Sequence, residues 1–188
     1  SGYSLDDEVE IAKRNEEYDR LGVRSVSSIE NLEARRMFIQ RNVHISDRMR
    51  VYVAKLVRAT HNPDLRTGFD ERKKSVKLDK AFMENWDYIW KKTRIGKYTM
   101  PDLIRHGSSP RGTMFLTSIS RSAAFLAHER EKRKILQVTP KDIKKIAVDV
   151  LAHRLWLTDQ GKMVAEEFGG RHILSRIVIE NIVEHVEW

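Results

Sequence analysis

Cysteine is absent from the 188 residues, which excludes disulfides and thiolate chemistry. No apolar stretch approaches the roughly 18 residues of a membrane-spanning helix. The first residues lack the basic and apolar regions of a secretory signal, so the cytoplasm is the expected compartment and no membrane partner is expected. No internal repeat and no low-complexity tract interrupts the chain. Complete catalytic motifs are missing too. Gly107-Ser108-Ser109-Pro110-Arg111-Gly112-Thr113 has the glycine spacing of a P-loop but no lysine, and Pro110 removes a phosphate-facing N–H, so this is no Walker A motif. Ile146-Ala147-Val148-Asp149 imitates a strand ending in a metal-binding aspartate (a Walker B motif), but apolar spacing through Leu151 is helical, which makes Asp149 a surface or ion-pair residue. His128-Glu129 opens like a zinc-binding helix motif, yet Lys132 stands where the second histidine belongs. The seven histidines show no ligand spacing, so no metal site is expected; His153, beside Arg154, is most simply a packed or capped helix histidine.

What is present suits a globular helical protein. Hydrophobic residues make up 40% of the chain, with four Trp and six Phe, and charged residues 33%. The net charge is +8. A basic helical nucleic-acid-binding module is therefore a reading to weigh, but the basic runs alternate with acids or sit at expected helix ends, which disfavours it. The periodicity predicts an all-α helical bundle with at most two very short strands, at 43–45 and 137–139. Helices are expected from Ser4 to Gly22, from Ser27 to Arg41 with Ile29, Leu32 and Ile39 inward, and from Ser46 to Thr60. Others are expected over Leu78–Lys92, from Pro110 to Glu131 with Leu116, Ile119, Ala123 and Leu126 inward, from Pro140 to about Thr158, and over Gly170–His185, this last preceded by a glycine-containing loop.

Gly107-Ser108-Ser109-Pro110-Arg111-Gly112 resembles the Gly-Ala-Ser-Pro-Arg-Ala motif of MoxR-type AAA+ ATPases. Ser122 to Leu126, Val138 to Ile143 and Val150 to Leu155 follow in the order and spacing of that family's helical lid. Gly2-Tyr3 with Glu8 to Ile11, and Val43 to Ser46 with Tyr52-Val53 and Leu56 to Thr60, resemble its first half. The resemblance implies a single lid domain over 1–188, with an insertion at 62–105 and the ATPase core outside this chain. It implies no enzyme activity in these residues alone, but an ATP-hydrolysing parent that uses ATP and Mg2+. Arg111 is then the sensor-2 arginine reaching the γ-phosphate, with Ser109 and Pro110 positioning the helix N-terminus. The parent would be a hexameric, chaperone-like remodeller. Its partners would be its own core, neighbouring subunits of the ring and proteins with von Willebrand factor A domains.

The chain also departs from the family. Ser4 replaces a proline, His61 replaces an arginine after Ala59-Thr60, and 62–105 is longer than usual. The helix within that stretch presents Phe82, Trp86 and Trp90 on one face. They must be buried on the bundle, the favoured reading, or on a partner, which makes them a candidate partner surface and keeps a protein-interaction domain as a second alternative.

Overall fold

The computed structural model describes residues 9–10, 27–63 and 80–188. The chain divides into two units, Ser1–Met37 and Phe38–Trp188. In the first, Val9 and Glu10 are helical, and the rest of the helix expected between Ser4 and Gly22 lies outside the described residues. Helix α1 (Ile29–Asn42) starts in this unit, capped by the Ser28 hydroxyl, which accepts from the Asn31 N–H at 3.2 Å. Its Ile29 and Leu32 are exposed, contrary to the inward face read from their spacing.

The second unit is helical. Helix α2 (Asp47–Ala59) is capped by Ser46, whose hydroxyl accepts from the Met49 N–H at 3.3 Å. Its apolar stripe of Met49, Tyr52, Val53, Leu56 and Val57 is buried. Helix α3 (Lys80–Lys92) packs on it, and the hairpin β1 (Arg94–Ile95) and β2 (Tyr98–Thr99) follows around Gly96, whose φ of +60° suits a tight turn. A short helix α4 (Met100–Leu103) leads into β3 (Ile104–His106). Helix α5 (Pro110–Glu131) and helix α6 (Pro140–Leu151) pack side by side. A 3-10 turn, Ala152–Arg154, leads to β4 (Trp156–Leu157), antiparallel to β3. Helices α7 (Asp159–Glu167) and α8 (Arg171–His185) complete the unit. Among the described residues, no helix is long and apolar enough to cross a membrane.

The links expected as strands at 43–45 and 137–139 meet each other through one parallel bridge, His44 with Gln137; the named strands lie elsewhere. The glycine-containing loop expected before the last helix is instead α7. Thr158 caps it, accepting from the Gly161 N–H at 2.8 Å. Gly161 sits in the first turn because a Cβ there would lie 2.3 Å from the Leu103 carbonyl oxygen. That glycine serves close packing rather than a loop. On α5 the buried residues are Gly112, Leu116, Ser120 and Ala124, while Ile119 and Leu126, expected inward, are exposed.

The end of α2 explains the tryptophans of α3. A helix leaves its last carbonyls without intrahelical donors. The Trp90 indole donates to the Ala59 carbonyl at 2.8 Å, and the Trp86 indole donates to the His61 carbonyl at 2.8 Å. Phe82 stacks on Trp86 with ring centroids 5.9 Å apart. Trp90→Phe keeps most of the buried ring but strands the Ala59 carbonyl. The expected loss is about 2 kcal/mol in urea unfolding, whereas Tyr88→Phe, on the exposed face of α3, should change stability by less than about 0.5 kcal/mol.

The start of α6 carries a pH-sensitive anchor. Asp142 accepts from the Thr139 N–H at 2.9 Å and from the Thr139 hydroxyl at 2.7 Å, a capping box. Arg133 donates to the same carboxylate at 2.9 Å. Burial pushes the Asp142 carboxyl up, but the hydrogen bonds from Arg133 and Thr139 outweigh it and hold it below the ordinary value. A depressed carboxyl stabilises the fold above its unfolded-state pKa of about 4, and that contribution disappears as pH falls through the lower folded-state value. Asp142→Asn should therefore cost about 2 kcal/mol at pH 7. In melts at falling pH the gap between variant and wild type should begin to narrow below about pH 4 and close only below the depressed folded-state value.

Candidate functional site

The loop before α5 is held from several sides. The Ser108 N–H donates to the Thr60 hydroxyl at 2.9 Å, and that hydroxyl donates to the Val57 carbonyl at 2.6 Å. The His61 ring donates from Nε2 to the Ser108 carbonyl at 2.8 Å. His61, which stands where the resembled pattern has arginine, thus makes a hydrogen bond to the motif's backbone. Gly107 lies against Thr60 so closely that a Cβ would stand 2.3 Å from Oγ1 and 2.4 Å from the carbonyl oxygen. Gly112 faces Ser108 in the same way: its Cβ would be 2.1 Å from the Ser108 hydroxyl oxygen. That hydroxyl is buried and has no hydrogen-bond partner among the described residues. The pairing of β3 with β4 steadies the approach to Gly107, and Thr158 links the same region to the Asp102 carbonyl.

This pinned loop presents the first turn of α5 to solvent. Ser109 is the N-cap with extended backbone (φ −61°, ψ 167°), but its side chain caps nothing, and Pro110 occupies the first turn. Arg111 is exposed, and among the described residues no carboxylate pairs with it. Pro110 has no N–H and the Gly112 N–H donates to the Ser109 carbonyl at 2.7 Å, so it is the free Arg111 guanidinium, at the positive end of a 22-residue helix, that favours an anion.

An open cleft of about 630 Å³ adjoins this turn, lined by His106, Gly107, Ser109, His153, Arg154 and Trp156. Arg154 donates from Nε to the Val150 carbonyl at 3.1 Å, and its guanidinium lies 4.6 Å from the centre of the Phe115 ring. His153 is exposed, with Nδ1 3.3 Å from the Asp149 carbonyl oxygen, and Asp149 itself pairs with Arg176 at 2.6 Å. Among the described residues no three His, Asp or Glu side chains gather to hold a metal ion.

Ser109, Pro110 and Arg111 therefore stand together at the mouth of one helix. Phe82, Trp86 and Trp90 do not form a surface beside them: they are 4%, 2% and 1% exposed, packed in the core. They do not offer the partner surface considered from sequence, because the rings are packed in the core and the two indole N–H groups are taken by the Ala59 carbonyl at the end of α2 and the His61 carbonyl just past it. The two groups nonetheless share a support, since Trp86 holds the His61 carbonyl and the His61 ring holds Ser108. No local sequence signal marks Thr60, Arg154 or Trp156 as parts of this site; only the tertiary packing gathers them.

Residues 101–168, which include the arginine motif, match the AAA lid domain family. Along its whole length the chain is similar in fold to the crystal structure of a protein from Cytophaga hutchinsonii described as a "putative ATPase", with a TM-score of 0.57 and 22% identity. The chain spans 44% of that protein's length. No curated protein matches the sequence at a significant level.

Proposed function

We propose that this chain is the helical lid of a MoxR-type AAA+ ATPase, and that Arg111 is its sensor-2 arginine. The observation that carries the reading is an exposed guanidinium, free of any carboxylate among the described residues, in the first turn of an uncapped helix. The match of residues 101–168 to the AAA lid domain supports it, because the motif lies inside the matched stretch.

In this reading ATP and its Mg2+ sit on a core outside the chain, and bound ATP supplies the polyanion that joins core to lid. Arg111 meets its terminal phosphate, and the positive end of the α5 dipole adds partial positive charge. The residues present fit that group: the turn is open, cationic and uncapped. Gly107 and Gly112 keep the loop tight against Thr60 and Ser108, so Arg111 projects from a rigid base. Loss of the terminal phosphate removes that anchor and lets lid and core move apart, a hinge driven by differential contact. The stretch 62–105 is an insertion that uses its tryptophans to buttress the α2 end of the lid. The parent is a cytoplasmic, hexameric, chaperone-like remodeller, and its partners are its own core, adjacent subunits and von Willebrand factor A domain proteins.

The chain by itself should bind nucleotide poorly. One charge-assisted contact contributes about 1.5–3 kcal/mol, while a micromolar site needs about 8 kcal/mol. Calorimetry with the isolated chain should show no saturation up to millimolar ATP, and a micromolar site would contradict the assignment. The reading frame ahead of Tyr3 should encode a P-loop and a Walker B Asp-Glu; a frame without them would contradict it as well.

A further inference from the structure

The turn between α5 and α6 carries a charge imbalance remote from Arg111, at the other end of the 22-residue α5 and roughly 30 Å from Pro110. Arg130, Lys132 and Lys134 surround the end of α5, and Lys141, Lys144 and Lys145 lie in the first turns of α6; all are exposed. Lys141, Lys144 and Lys145 are spaced for one helix face. The two helix ends adjoin, with Lys141 Nζ 3.8 Å from Glu131 Oε1. Arg133 engages two of the nearby carboxylates, Glu131 and Asp142, at 2.9 Å, which leaves Glu129 as the exposed carboxylate against these cations at the end of α5. Among the described residues no carboxylate pairs with Arg130, Lys132, Lys134, Lys144 or Lys145. Lys132 even ends α5 in the left-handed region, at φ 52°, where glycine fits with less strain. Amid these cations Ile135 is 64% exposed.

We propose that this turn is a docking surface for an acidic protein segment that lays an aliphatic side chain on Ile135. Unpaired lysines attract a run of carboxylates at long range and set its orientation. An exposed isoleucine at the centre gains from covering by an apolar group, which a phosphodiester backbone does not supply. The segment that carries these cations, 129–145, contains no Phe, Trp or Tyr to stack on bases, as single-stranded nucleic acid would use. The surface does not depend on the lid reading, since Arg111 takes no part in it.

The test is fluorescence anisotropy of the purified chain with a short, labelled Glu/Asp-rich peptide carrying one central leucine, at low and at physiological salt. Saturable binding that weakens with salt is expected. Lys144→Glu with Lys145→Glu should weaken it about tenfold. Ile135→Ser should weaken the leucine peptide about fivefold and leave a leucine-free version unchanged. These positions are exposed, and circular dichroism should show both variants folded. Arg111→Ala should leave peptide binding at the wild-type level. No saturable binding at low salt, or binding indifferent to the charge reversal, would overturn the proposal. So would duplex DNA binding more tightly than the leucine peptide, which would make the turn a nucleic-acid surface.

Discussion

Gly107→Ala is expected to lower stability by about 3 kcal/mol or more, the largest effect of a single methyl group in the arginine motif. The added Cβ meets Thr60 Oγ1, the carbonyl oxygen and the carbonyl carbon at 2.3, 2.4 and 2.5 Å. Two of these are backbone atoms at the end of α2, which the Trp86 and Trp90 indoles hold in place on either side. Relief requires moving the loop, which breaks the Ser108 N–H bond to Thr60 and the His61 bond to the Ser108 carbonyl. Gly112→Ala should behave differently. Its Cβ meets the Ser108 hydroxyl oxygen at 2.1 Å, but only a side chain stands in the way. Alone it should cost about 1–3 kcal/mol. Combined with Ser108→Ala it should cost far less than alone, because the clash with the hydroxyl and that buried, unpartnered group vanish together and alanine favours the helix by about 1 kcal/mol over glycine, while the residue 108 Cβ at 3.2 Å and Leu151 Cδ2 at 3.4 Å must still give slightly. The double variant restores the alanines of the Gly-Ala-Ser-Pro-Arg-Ala pattern that this motif resembles. Urea unfolding of the single and double variants measures the coupling directly; additive losses would show that Ser108 and Gly112 do not share the space.

Helix caps and punctuation were legible in the sequence because their chemistry is local. Ser46, Pro110 and Thr139-Pro140 start helices where serine, threonine and proline are read to do so. The inward face of α5 was not legible. Its buried stripe includes Gly112, Ser120 and Ala124, small residues that allow close approach to neighbouring helices, and a count of large apolar groups passes them over. Ser120 tolerates burial because its hydroxyl donates to the Leu116 carbonyl at 2.6 Å. Gly161 misled in the opposite sense, since a glycine serving close packing reads like a loop. The face shared by Phe82, Trp86 and Trp90 could be read, but whether the bundle or a partner covers it depends on carbonyls from α2, far away in sequence. Similarly, the motif around Arg111 was found by resemblance, whereas the Thr60 contact and the cleft beside it exist only in three dimensions.

The most direct measurement of the role proposed for Arg111 is ATP turnover by a protein in which this chain follows the proposed P-loop core, with and without Arg111. Removing one preorganised charged contact to a transferring phosphoryl group lowers kcat by about 100-fold. Arg111 is exposed and without a carboxylate partner among the described residues, so Arg111→Ala should leave unfolding free energy within about 0.5 kcal/mol of wild type. Arg111→Lys should recover only part of the rate, since an ammonium lacks the planar fork. Wild-type turnover in Arg111→Ala would contradict the proposed role, and so would a loss of stability large enough to account for the lost activity.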